Sequence, residues 1–187
     1  MRLAVLADSH GNLPALEAVL QDIRKQGVDD VVVAGDFTGG PQPQETIDLL
    51  RSLGGWMIRG NAEEYVLAWY SGEAPAAWRE GKQWATLRWS CQRLDRGAVD
   101  FVARLSEQQV LAMDGMLPVR VVHGSPNCPF EFLIPNHDPI TMDRFRWAGL
   151  LSSYYKPVEM KKALAQVEEP VLVCAHSHIP WIHEAED

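Results

Sequence analysis

Leu3-Ala4-Val5-Leu6-Ala7-Asp8-Ser9-His10-Gly11-Asn12 is the stretch that decides the fold. Five apolar residues run without a break into a polar loop, and Leu16, Val19, Leu20 and Ile23 then share one face of a helical repeat. The order reads as strand, loop, helix. The same pattern returns at 30–34, a valine-rich run ending at Gly35-Asp36. A Gly/Pro loop and a helical stripe of Ile47, Leu49, Leu50 and Leu53 follow. It starts a third time at 56–59 and ends at Gly60-Asn61. Continuous apolar strands separated by amphipathic helices predict a parallel sheet covered on both faces. Ligands of such sheets bind beyond the carboxyl ends of the strands. Here those ends carry Asp8 and His10, then Asp36, then Asn61.

Further along, the pattern changes. Residues 109–113 and 117–122 flank Asp114-Gly115, a hairpin signal that predicts antiparallel pairing and the start of a second sheet. The second of these strands ends at His123-Gly124-Ser125-Pro126. The loop that follows, punctuated by Pro129, Pro135 and Pro139, is long enough to border a substrate pocket. A helix over 158–167 and a strand over 171–174 lead into Ala175-His176-Ser177-His178. The Trp- and Arg-rich stretch 72–97 places Trp84, Leu87, Cys91 and Leu94 at helical spacing, which predicts a helix with one buried stripe. An aromatic platform for single-stranded nucleic acid fits less well, because the stripe is apolar and Glu73, Glu80 and Asp95 are interspersed.

Composition narrows the function class. The chain has 187 residues, 47% hydrophobic and 22% charged, as expected of one globular domain spanning 1–187 that buries its core without disulfide or metal staples. Seventeen Lys and Arg against 25 Asp and Glu leave a net charge of −8, which argues against a general nucleic-acid surface. Cys91, Cys128 and Cys174 show no paired spacing, so a reduced, cytoplasmic setting is expected rather than a disulfide framework. No apolar run approaches the ~20 residues that span a bilayer, so no membrane association is expected.

Asp8, His10, Asp36, Asn61, His123, His176 and His178 remain, all oxygen or imidazole donors at strand ends. Asp-x-His and His-x-His put two side chains on the same side of an extended chain, so each pair can approach one cation cluster. Singly, each has a plainer use: a strand-end histidine is commonly a hydrogen-bonded structural residue, and an Asp after Gly a turn former. Together they predict a site for two divalent cations with an Asp shared between them.

The motifs Asp8-Ser9-His10, Gly35-Asp36, Gly60-Asn61, His123-Gly124 and Ala175-His176-Ser177-His178 resemble, in order and spacing, those of the calcineurin-like metallophosphoesterases. The similarity is greatest to the small bacterial and archaeal phosphodiesterase-like branch, which carries His-Gly-Ser-Pro as at 123–126. The resemblance implies a four-layer α/β/β/α sandwich with mixed sheets. It implies one cation on Asp8, His10, Asp36 and His178, and a second on Asp36, Asn61, His123 and His176, with Asp36 as the bridge. Asp36, Asn61 and His123 would be catalytic, and Asn61 and Arg59 would meet the substrate. The cations, Mn²⁺ first with Fe, Zn²⁺, Ni²⁺ or Co²⁺ as alternatives, would lie about 3.5–4 Å apart and activate a bridging hydroxide for attack on a phosphodiester. A phosphomonoesterase and a non-catalytic interaction module on the same fold are the alternatives.

Three departures qualify the resemblance. Family members commonly follow Gly-Asn with a histidine that assists the leaving group, whereas this chain has Ala62-Glu63. General acid catalysis is worth about 10²–10⁴-fold, so activated aryl diesters are expected to be better substrates than alkyl monoesters. Ala175 replaces a glycine, with a small effect expected. The sequence ends nine residues after His178, where relatives continue through a further strand pair. The C-terminal part of the second sheet is therefore expected to be missing, leaving an exposed edge for oligomer formation. Among other residues, His137 and Asp138 are candidates for a substitute acid or a solvated loop. Glu63 and Glu64 suit a helix N-terminus. Arg59 would contact a phosphate or cap its strand, and His183 lies beyond the chemistry.

Overall fold

In the computed structural model, which describes residues 2–133, 157–158 and 160–184, the first three apolar runs form a parallel sheet. Strands β1 (Leu3–Leu6), β2 (Asp30–Ala34) and β3 (Trp56–Ile58) lie in the order β1-β2-β3. Leu3 sits opposite Asp30 and Val32 opposite Trp56. Helices α1 (Leu13–Gln26) and α2 (Pro43–Leu53) form the crossovers. The Asn12 side chain starts α1 by accepting the Ala15 amide at 3.2 Å, and Gly27 ends it in the left-handed region at φ 62°.

Both faces of this sheet are covered, which is why its strands read as unbroken apolar runs. Val33 and Met57 pack against the helices in a core with Leu16, Leu20, Ile47 and Leu50. Ile47 and Leu50 are fully buried and each stabilises the fold by about 1.5–3 kcal/mol. Val19, expected on the buried face of α1, is 44% exposed. Val32, Ala34 and Ile58 point the other way, onto Leu111, Val119 and Val121 of the second sheet.

That second sheet contains β4 (Gln108–Leu111) and β5 (Val119–Val122) as an antiparallel pair. The turn between them forms on Asp114-Gly115, closed by the Met116 amide on the Met113 carbonyl at 3.1 Å. Because Leu111 pairs with Val119, the strands are shorter and the connection longer than the sequence pattern predicts. A short strand β6 (Phe132–Leu133) pairs in parallel with β7 (Pro157–Val158). Helix α7 (Met160–Leu164) occupies part of the expected 158–167 and precedes β8 (Val171–Val173), which pairs in parallel with β5. The sheet order is β4-β5-β8. Pro135, His137, Asp138 and Pro139 lie outside the described residues.

The remaining helices among the described residues are α3 (Asn61–Ser71), α4 (Ala77–Glu80), α5 (Ala85–Cys91) and α6 (Arg96–Arg104), with a 3-10 turn at Lys82–Trp84. The single helix expected within 72–97 is broken. Gly81 adopts an extended conformation (φ −61°, ψ 136°), and α4 stops there. The stripe itself behaves as predicted: Leu87, Cys91 and Leu94 are buried in the helical core. Among the described residues no helix is long and apolar enough to cross a membrane.

Candidate metal centre

The carboxyl ends of β1, β2 and β3 and of β5 and β8 converge, and the loops leaving them are laddered together. Asp8 N–H donates to the Gly35 carbonyl at 3.1 Å, His10 N–H to Asp36 at 2.9 Å and Gly11 N–H to Phe37 at 2.9 Å. The close approach demands glycine at two places. A Cβ on Gly35 would lie 2.6 Å from the Gly60 nitrogen, and one on Gly40 only 1.5 Å from the His10 carbonyl oxygen.

The described residues other than glycine with positive φ are Asp8, His10, Asp36, His176 and His178. All five are ligands expected from the sequence. Left-handed backbone at such residues costs of order 1–3 kcal/mol and collects where function requires a set direction. Ala175 is not among them, and its N–H donates to the His123 carbonyl at 2.8 Å, so alanine fits at this position.

The side chains form two groups. Asp8, His10 and His178 bring one ligand atom each within 4.8 Å of one another, and so do Asp36, His123 and His176. In the first group His10 Nε2 lies 3.3 Å from His178 Nε2, and His178 Nε2 lies 3.3 Å from Asp8 Oδ1. In the second, His123 Nε2 is 3.3 Å from Asp36 Oδ1 and 2.9 Å from Asn61 Oδ1. Asp36 spans both: its other oxygen, Oδ2, faces His10 Nε2 at 3.7 Å.

The surrounding contacts orient these ligands. His123 Nδ1 sits 2.7 Å from the Ala34 carbonyl, which can only accept, so Nδ1 carries the proton and Nε2 faces the cluster. Asp36 Oδ1 accepts the Ala62 N–H at 2.7 Å, and Asp8 Oδ2 accepts the His176 N–H at 3.1 Å. The Phe132 ring stacks on His176 at 4.2 Å between centroids and 13° between planes.

Titration follows from burial and charge. Burial acts to raise the Asp36 pKa, but the His123 hydrogen bond and the charges of His123 and His10 outweigh it and hold the carboxyl below its usual range. Burial likewise acts to lower that of His123, yet Asp36 and the Ala34 carbonyl push it up to about 9. Burial and the neighbouring His123 charge press His176 down to about 4. The Asp8 hydrogen bond raises His178 against partial desolvation.

Two further residues flank the site. The Arg59 guanidinium binds Glu64, the Leu105 carbonyl and, at 2.9 Å, Glu107. These contacts fit the strand-capping reading, one of the two expected for Arg59. Glu63, expected only to favour a helix start, is fully buried, and its carboxylate accepts five hydrogen bonds from the loops carrying Asp36 and Asn61. Burial and the Asp36 charge raise its pKa, while the Gly60 and Thr38 hydrogen bonds oppose them. A Glu at the third position of a helix capped by Gly60 is the one signal in the sequence, but the loop it reaches lies 25 to 27 residues away. His183 is exposed.

Two facing sheets with carboxylates and imidazoles gathered at their strand ends define the metallophosphoesterase class of folds. The calcineurin-like phosphoesterase family model matches residues 1–180, and the chain belongs to that family. An uncharacterised protein of Methanocaldococcus jannaschii is 41% identical over 66 residues. The match covers 35% of this chain and 27% of that relative, about a quarter of its length. A metallophosphoesterase from Sphaerobacter thermophilus is similar at 26% identity and a TM-score of 0.56, over 90% of this chain and 67% of that one. A hypothetical protein of Pyrococcus horikoshii shares the fold at 22% identity and a TM-score of 0.62, over 92% and 75% of the two chains.

Proposed function

We propose that this protein is a metal-dependent phosphoesterase that holds two divalent cations, Mn²⁺ first among them, and cleaves phosphodiesters. The observation that carries the reading is the division of six side chains into two groups of cation-ligand type, with one carboxylate, Asp36, facing members of both. The donor set fits. Imidazole suits Fe and Zn²⁺ and carboxylate suits Mn²⁺, so the mixed set accommodates each, and His176, pressed down to about 4, offers a neutral ring nitrogen at pH 7.

When bound, two such cations supply Lewis-acid charge to phosphoryl oxygens and make water nucleophilic near neutral pH. The protein's own residues provide the frame. Asp8, His10, Asp36 and His178 would hold one cation, and Asp36, Asn61, His123 and His176 the other. The Ala34 carbonyl fixes the His123 ring, and the Ala62 N–H fixes Asp36. Asn61, at the start of α3, would meet substrate as well as cation.

The expected preference for activated aryl diesters over alkyl monoesters rests on Ala62. A Cβ built on Gly39 would lie 3.7 Å from the Ala62 Cβ and 3.6 Å from His10 Nδ1, so this rim of the cluster is made of small side chains. Position 62 offers no imidazole to protonate a poor leaving group, and substrates with good leaving groups are favoured. The test is hydrolysis of bis-p-nitrophenyl phosphate by metal-stripped protein, with and without Mn²⁺. Mn²⁺-dependent turnover that disappears in Asp36→Ala is expected. Its absence with every divalent metal tried would favour the non-catalytic interaction module.

A further inference from the structure

The family's chemistry assigns roles to the ligands but none, on the contacts seen here, to the buried acid beside them. Glu63 has no exposed surface. Its Oε2 accepts the Asp36 N–H at 2.7 Å and the Gly60 N–H at 2.8 Å. Its Oε1 accepts the Phe37 N–H at 3.1 Å, the Thr38 N–H at 2.9 Å and the Thr38 hydroxyl at 2.8 Å. Four of the five partners are backbone amides, which can only donate, so each carboxyl oxygen accepts two N–H groups. No described ion pair joins it to Lys or Arg, in contrast to its neighbour Glu64, which pairs with Arg59.

Three consecutive amides, from Asp36 to Thr38, turn inward on one carboxylate, the arrangement by which a backbone nest takes an anion. Here the group that the amides take is a side chain of the protein itself. The nest opens at Asp36, held at φ 54°, and the same carboxylate ties that residue to Gly60, next to Asn61. A capping role alone would require only the Gly60 bond, by which the third side chain of a helix reaches back to the cap residue's N–H.

We propose that Glu63 is a positioning residue for the shared carboxylate: its clamp on residues 36–38 and Gly60 holds Asp36 where one oxygen faces each cation group. The inference rests on the two-cation reading above. Outer-shell contacts of this kind typically change metal affinity 10–100-fold when removed. Glu63→Gln replaces one accepting oxygen by an NH₂ group and sets donor against donor. Loss of the clamp should therefore weaken the pairing of two cations more than the binding of the first.

The experiment is a Mn²⁺ binding isotherm together with Mn²⁺ electron paramagnetic resonance, on wild type, Glu63→Gln and Thr38→Val, with circular dichroism and thermal melts as fold controls. Wild type should bind two Mn²⁺ and show the signal of an exchange-coupled pair. Folded Glu63→Gln should bind its first Mn²⁺ near normally, bind the second about 10–100-fold more weakly and lose the coupled signal. Thr38→Val, which removes one of the five bonds, should move in the same direction by less. Wild-type second-site affinity and coupling in folded Glu63→Gln would overturn the proposal. If Glu63→Gln does not fold, Thr38→Val decides, and unchanged affinity and coupling there would overturn it. Wild type that binds fewer than two Mn²⁺ would overturn the two-cation reading itself, and this inference with it.

Discussion

The two groups of ligands are built differently. Asp36, His123 and His176 are 2%, 1% and 7% exposed, seated where the two sheets meet. In the other group the His178 and His10 side chains are 54% and 35% exposed and Asp8 15%. The buried group inherits its geometry from packing: the Ala34 carbonyl aims His123, Phe132 backs His176 and Glu63 clamps Asp36. The open group hangs on two loops whose backbone is left-handed at Asp8, His10, His176 and His178. On the two-cation proposal, burial preorganises the buried group, which should hold its cation more tightly, while the more exposed group would admit solvent and substrate. Asp36 faces members of both groups and would couple the two.

The largest effect should come from removing that coupling. Asp36→Ala is expected to abolish Mn²⁺-dependent turnover and leave no coupled pair of cations, measured by metal analysis after dialysis. A variant that still takes up two equivalents would break the contrast between the groups. Next is Gly35→Ala, which would put a Cβ 2.6 Å from the Gly60 nitrogen and 2.8 Å from His123 Nδ1 at φ +88°. Backbone on one side and a ligand on the other cannot yield cheaply. A loss of about 2–4 kcal/mol in urea unfolding is expected, with damage concentrated in the buried group.

A smaller effect concerns pH in the metal-free protein. Although burial opposes it, Asp36 holds His123 at about 9, above its ordinary 6.5. The stabilisation from the charged ring is therefore complete below pH 6.5 and is lost as pH rises through about 9. Thermal melts in EDTA should show this alkaline decline in wild type, and a flat profile across that range would count against the His123–Asp36 contact. The least sensitive site, suited to a control, is Arg96, 81% exposed and paired with Asp100 one helical turn on. Arg96→Ala should change unfolding free energy by no more than about 0.5 kcal/mol and leave Mn²⁺ binding untouched.

The positions of the candidate ligands are legible in the amino-acid sequence. Short apolar runs ending in Asp8, Asp36, Asn61 and His123 locate them, because these sheets expose polar residues at their strand ends. Their burial is not legible. Nothing in Asp8-Ser9-His10 or Gly35-Asp36 says which pair lies between the sheets, since that depends on how the second sheet faces the first. Glu63 is hidden for a related reason: its partners are backbone amides remote in sequence, and amides leave no residue signature. Arg59 is ambiguous because a guanidinium before a strand end satisfies a phosphate and a carbonyl equally well. In 72–97 the apolar spacing marks the buried stripe, but the extended backbone at Gly81 outweighs it in setting where the helix stops.

The most direct test is a Mn²⁺ titration of wild type against His178→Ala. Two sites of unequal affinity in wild type, with only the weaker lost in His178→Ala, is the predicted result. A single site in wild type, or loss of the tighter site in His178→Ala, would contradict the account.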